Sequence, residues 1–302
     1  MKKASTYIPS VIIAVLLVFC FLGGSAAILA DINVTKEKTI SFAEKEKLET
    51  KAYASIEKHY KEKANATGIP AEVFTENISG EYLRSVINEY ISEAYSSLES
   101  GEKMSVKVPE NLELEASIEK FFNDYADETG YEKDEVFENK LLTTKENAYK
   151  TIGDYCDVFK ADSMSRHGVL SKLSKLYSRR YQLTALVVGA IVLLIVLLTL
   201  IHRKDKKSVL YWSGISALIS GSMGTIPSAY LIATKYYNSF SIKEPQVFAA
   251  YTRSMFSMTE AFMASQIAFI VIGICLTVTY AVLRGRAVAH PVKSTEKDEK
   301  KS

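Results

Sequence analysis

Four stretches free of Lys, Arg, Asp and Glu constrain this 302-residue chain more than any other feature: residues 8–30, 183–201, 209–234 and 261–283. Each runs about 19 to 26 residues, enough for a helix to cross a hydrocarbon core of roughly 30 Å. In lipid only a helix or a closed barrel satisfies every backbone polar group, and these stretches lack the alternation of a barrel strand. Tyr7, Tyr181, Tyr211, Trp212, Tyr236 and Tyr280 lie near their ends, where amphipathic rings favour the interface. The expected fold class is all-α. Residues 1–30 hold the first transmembrane helix. Residues 183–284 hold the second to fourth, with a short outer loop at 235–260. Residues 31–182 are left as a polar domain.

Positive charge in short loops sets the expected orientation. Lys2 and Lys3 precede the first span, Arg203, Lys204, Lys206 and Lys207 join the second to the third, and Arg284 and Arg286 follow the fourth. All fall on one side, expected to be cytoplasmic, with both termini there and residues 31–182 outside. Arg179 and Arg180 count against this choice but sit beside a domain that must translocate whole. The tail, 285–302, is rich in Lys and Glu and is expected to be disordered and cytoplasmic. A competing reading makes the first stretch a signal peptide cleaved after Ala27. Its apolar run is longer than a usual signal core, which favours a retained span.

The formal net charge is +2, yet residues 31–182 carry 22 Lys plus Arg against 29 Asp plus Glu, a net of −7. That disfavours nucleic acid and anionic lipid surfaces as the domain's main partners. Cys20 and Cys275 lie in spans, so Cys156 is alone in the domain and no disulfide staples it. At about 150 residues the domain is large enough to be held by an apolar core.

The domain reads as helix throughout. Leu83, Val86, Ile87, Tyr90, Ile91, Ala94, Tyr95 and Leu98 recur at steps of three and four, one apolar stripe. Ile118, Phe121, Phe122 and Tyr125 form a second, and Leu141, Ala148, Ile152, Tyr155, Cys156 and Phe159 a third. Breaks are predicted at Gly68, Ser79, Gly101, Pro109 and Gly130. From about His167, a helix bearing Leu170, Leu173, Leu176 and Tyr177 is expected to run on into the second span. The connector from Leu170 to Tyr181 is the expected carrier of any signal.

An internal repeat is also visible. Ala54 to Lys58 recurs as Ala116 to Lys120, Thr67-Gly68 as Thr129-Gly130, and Glu72-Val73-Phe74 as Glu135-Val136-Phe137. The expectation is a helical-bundle extracytoplasmic domain built from a duplicated helical hairpin, with repeats at about 50–100 and 112–163. Ile56/Ile118 and Phe74/Phe137 should then be equivalent core pairs. A first span, a Lys/Glu-rich helix, the Gly-Ile-Pro-x-Glu-Val-Phe turn at Gly68 to Phe74 and the run Tyr90 to Tyr95 resemble a group of uncharacterised four-span membrane proteins of Gram-positive bacteria. The resemblance covers about residues 1–200. It implies a bacterial plasma membrane and brings no activity or site residue with it.

No motif announces a chemistry. Gly-rich phosphate loops, His-Glu-x-x-His and Gly-x-Ser-x-Gly are all missing from the sequence. His59 with Glu62 offers only two metal ligands. Asp154, Cys156, Asp157, Asp162 and His167 form the densest ligand-like cluster, but Cys156 falls on the apolar stripe, and Asp154 and Asp157 are expected to face solvent. Met255, Phe256, Met258 and Met263 read as packing or interface anchoring. The spans hold no acidic or basic residue, which argues against an independent ion-coupled transporter. In the third, Ser213/Ala217/Gly221 and Ser220/Gly224/Ser228 permit close helix packing, expected within the chain.

No catalytic, cofactor or metal residue is therefore assigned. The expected function is a non-enzymatic, multi-pass plasma-membrane protein that binds a protein partner, senses or scaffolds through its outer helical domain. The alternative is a permease-like subunit of an ATPase-driven membrane complex, favoured only by the one-span, large-domain, three-span layout.

Overall fold

The structure, a computed structural model, describes residues 4–289. Lys2, Lys3, His290 and the tail from 290 onward lie outside the described residues. In chain order the helices are α1 (Ala4–Asn33), α2 (Lys36–Lys45), α3 (Leu48–Thr67), α4 (Glu72–Thr75), α5 (Gly80–Ser100), α6 (Leu112–Thr129), α7 (Glu135–Cys156), α8 (Ala161–Arg166), α9 (Val169–Tyr177), α10 (Arg180–Ile201), α11 (Lys207–Ala233) and α12 (Pro245–Ala289). No strand occurs among the described residues. Four helices are long and apolar enough to cross a membrane: Thr6–Asn33, Arg180–Ile201, Lys207–Ala233 and Pro245–Arg286.

The chain divides into two compact units. The polar one is Asp31–Arg180 together with Lys235–Met258. Its central helix is α5, which touches α2, α3, α7, α8 and α9. The predicted stripe is why: Leu83, Val86, Ile87 and Ile91 are all but fully buried, in one core with Ile56, Ile118 and Ile152. Helices stop or start at the predicted breaks Gly68, Ser79, Gly101 and Gly130. Side chains of Ser79, Asn111 and Asp134 accept backbone N–H bonds at the starts of α5, α6 and α7. Gly68 and Gly130 end α3 and α6 at φ +71° and +67°, a left-handed turn that costs a side-chain-bearing residue energy. Ile56 and Ile118 are both buried, as are Phe74 and Phe137. After the shared Glu-Val-Phe the two segments part, because α4 stops at Thr75 whereas α7 continues to Cys156. Tyr125 departs from its predicted stripe and is 56% exposed.

Three expectations about segments are corrected. The supposed outer loop 235–260 is a 3-10 turn, Tyr236–Ser239, followed by the first turns of α12. Pro245 suits a first helical position, where a fixed φ helps and the missing N–H costs nothing. These turns belong to the polar unit's core: Ala250 is 0% exposed, Ser55 Oγ donates to Gln246 Oε1 at 2.8 Å, and Tyr251 Oη donates to the Phe159 carbonyl at 2.7 Å. The helix expected to run from His167 into the second span is interrupted at Ser178 and Arg179. The Arg180 guanidinium lies 3.6 Å over the Tyr177 ring and donates to the Tyr177 carbonyl at 2.9 Å, satisfying an end-of-helix acceptor. Residues 285–289, assigned to a disordered tail, are the last turn of α12.

The apolar unit holds α1 through Ala30, Tyr181–Thr234 and the chain from Thr259. Ile13, Leu17, Leu194 and Leu198 form its packed seam between α1 and α10. Small residues bring α11 and α12 into backbone contact, as the spacing predicted. A Cβ on Gly221 would meet the Gln266 carbonyl oxygen at 2.7 Å, and one on Gly273 the Gly214 carbonyl oxygen at 2.8 Å. Gln266, fully buried, donates to Ser25 Oγ at 2.6 Å. The start of α1, the end of α10, the start of α11 and the end of α12 meet at one end of this bundle. Ser10 Oγ and His202 Nε2 are 2.8 Å apart, Tyr7 packs on Trp212, Tyr211 on Tyr280, and Lys207 Nζ donates to the Leu283 carbonyl at 2.9 Å.

Candidate functional site

The polar unit contains a cleft of about 550 Å³ between α2, α5, the turn before α8, α9 and the first turns of α12. Its base is apolar: Ile91, Tyr95 and Leu98 of α5, Val158, and Leu170 of α9. Phe42, Phe159, Leu173 and Met258 wall it. Tyr95 Oη and Thr39 Oγ1 share a 2.7 Å hydrogen bond, so this polar pair needs nothing from a ligand. Along α2, Lys38, Ser41 and Lys45 recur at steps of three and four and form one rim. Both lysines are exposed, and neither has an ion-pair partner among the described residues. The volume and the mostly apolar lining with few polar groups are those of a small-molecule site.

Tyr90 and Asp157 line this cleft and also a second, polar cavity of about 360 Å³. The ligand-like cluster is partly gathered here: Asp154, Asp157 and Asp162 line the cavity with His59, Lys160, Arg166 and Glu244. Most of these charges are already matched. Lys160 pairs with Glu244 at 2.8 Å, Arg166 with Asp162 at 3.0 Å, and His59 Nδ1 lies 3.3 Å from Tyr155 Oη. Asp157 corrects the expectation of a solvent-facing side chain, being 5% exposed. Its two carboxylate oxygens accept the N–H groups of Ala161 (2.7 Å) and Asp162 (3.0 Å), closing the turn into α8. Burial raises its pKa above the ordinary carboxylate value, partly offset by those two bonds.

Cys156 is fully buried in the core, and burial pushes its thiol up, so it stays protonated and is a poor nucleophile. His167 is exposed, its Nδ1 2.7 Å from the Ser163 carbonyl, and lies outside both cavities. Glu62 pairs with Lys58 on the surface instead of joining His59. Among the described residues no three His, Cys, Asp or Glu side chains converge as a metal site. Gly153 matters for shape: a Cβ there would come within 2.6 Å of Tyr90 Oη. Burial, then Asp157, Asp162 and Asp154, raise the Tyr90 pKa, leaving a neutral hydroxyl.

Sequence reasoning singled out none of the cleft's rim. The Lys38/Ser41/Lys45 spacing was readable, but nothing in it says that α5 and α9 pack together beneath it to line a cleft. Comparison with protein-family models, with curated proteins and with solved structures finds no match to this chain.

Proposed function

We propose that this chain is a multi-pass plasma-membrane protein whose helical domain lies outside the membrane and acts by binding, as a sensor or scaffold. The observation that carries this reading is the apolar cleft, with its Tyr95–Thr39 polar pair satisfied internally. Leu170 and Leu173 belong to the connector expected to carry a signal, so an occupant of the cleft bears directly on α9. The orientation rests on Arg203, Lys204, Lys206, Lys207, Arg284 and Arg286, beside the end of the unit where α10, α11 and α12 meet. The resemblance to four-span proteins of Gram-positive bacteria supports a bacterial plasma membrane. The left-handed glycines at 68 and 130 and the buried Ile56/Ile118 and Phe74/Phe137 pairs support a duplicated hairpin as the domain's origin.

The test is site-specific photo-crosslinking in cells expressing the full chain. A photoreactive residue replacing Phe42, in the cleft wall, should trap a discrete adduct that one replacing exposed Lys150 does not. Identical patterns from both positions, or none from the cleft, would defeat the reading. A stoichiometric ATPase recovered with the gently solubilised protein would replace it with the permease-like alternative.

A further inference from the structure

Resting on that reading, we infer that the occupant of the cleft is a long-chain fatty acid, its chain on α5 and α9 and its carboxylate at the α2 rim. Size is the first argument. A volume of about 550 Å³ falls in the range of sites that take one small, single-chain ligand. The second is the division of the lining: the α5 and α9 walls are mostly apolar, and both lysines lie on α2, with the Ser254 and Ser257 hydroxyls of α12 as further donors. The third is charge. Lys38 and Lys45 stand two helical turns apart, about 10.5 Å along the axis, with the Ser41 hydroxyl between them. The acidic residues of α2 nearest in sequence, Glu37 and Glu44, do not line the cleft. Asp157 does, but both its oxygens are bonded to backbone N–H groups. The domain's net −7 opposes a polyanionic surface. Of the charged residues that line the cleft itself, two are lysines and one, Asp157, is an acid already bonded to backbone N–H groups.

The experiment uses the full chain in phosphatidylcholine nanodiscs with two probes, palmitate carrying a terminal diazirine and its methyl ester. Palmitate should crosslink to peptides containing Phe42, Leu98 or Leu173. The Lys38→Gln/Lys45→Gln double variant should weaken palmitate binding at least about threefold and leave the ester unchanged. Ala94→Phe, which fills the cleft, should abolish labelling by both probes. Leu173→Trp, on a half-exposed wall, does the same should Ala94→Phe prove unstable. If the ester binds wild type as tightly as the acid, or the lysine variant loses both equally, the fatty-acid inference is overturned while binding in the cleft stands. If neither probe labels cleft peptides, or filling variants leave labelling intact, both readings fall.

Discussion

Gly221 and Gly189 are both glycines in apolar helices, and the structure gives them opposite roles. A Cβ on Gly221 meets backbone atoms of α12, whereas one on Gly189 meets nothing within 4 Å. Gly221→Val should therefore destabilise the purified protein by roughly 1–3 kcal/mol, seen as a lower thermal midpoint in detergent. Gly189→Ala should be neutral or stabilising by up to about 1 kcal/mol, from helix propensity alone; equal losses would remove the packing argument. Asp157 makes a second residue-scale prediction. Its folded pKa lies above its ordinary value of 3.8, so the folded state holds the proton more tightly. The favourable contribution is present near and below 3.8 and is lost as pH rises through the raised folded value. Hydrogen exchange across α8 should accordingly slow on acidification in that window, after correction for intrinsic rates. In Asp157→Asn that dependence should vanish, with some protection lost at every pH, since an amide oxygen replaces two carboxylate acceptors. An unchanged slope in the variant would assign the titration elsewhere.

At the scale of elements, the first turns of α12 are the least expected part of the polar unit. Their hold depends on a few buried contacts. Gln246, fully buried, accepts from Ser55 and donates to Glu244 at 3.1 Å, and Glu244 in turn pairs with Lys160. Gln246→Ala removes the bond between elements and leaves the Ser55 hydroxyl its intrahelical bond to the Lys51 carbonyl at 3.1 Å, so it should cost about 0.5–1.5 kcal/mol. Tyr251→Phe removes one bond to a carbonyl and should cost about 0.5–1.5 kcal/mol. Both should speed hydrogen exchange in 245–258 while leaving α6 and α7 unchanged. The apolar stripe of α5 and the breaks at Gly68, Ser79, Gly101 and Gly130 were legible because they are local: periodicity and terminal chemistry act within a few residues. The break at Ser178 and Arg179 was not, since it depends on Arg180 finding the Tyr177 ring and carbonyl. Tyr125 likewise fits the helical period of α6, yet it stacks on Phe121 of the same helix and stays 56% exposed.

For the whole molecule, the topological prediction follows from the basic ends of the four apolar helices. With single cysteines at exposed positions 105 and 205 in a background lacking Cys20 and Cys275, an impermeant thiol reagent should label the first in intact cells and reach the second only after permeabilisation. Cys156 remains silent as an internal control because it is buried. Labelling at 205 in intact cells would invert the orientation and place the cleft in the cytoplasm.

Four apolar stretches, their basic flanks and the helical period of the intervening chain were determined by sequence alone. Each depends on composition over a window no longer than one helix, and the solvent or lipid around that helix acts on it directly. The cleft, the burial of Asp157 and the recruitment of 245–258 into the polar unit's core were decided only by tertiary structure. Lys38 and Leu173, or Ser55 and Gln246, are distant in sequence, and their proximity depends on how several helices share one core. No local pattern encodes that arrangement, because many different packings would bury the same stripes equally well.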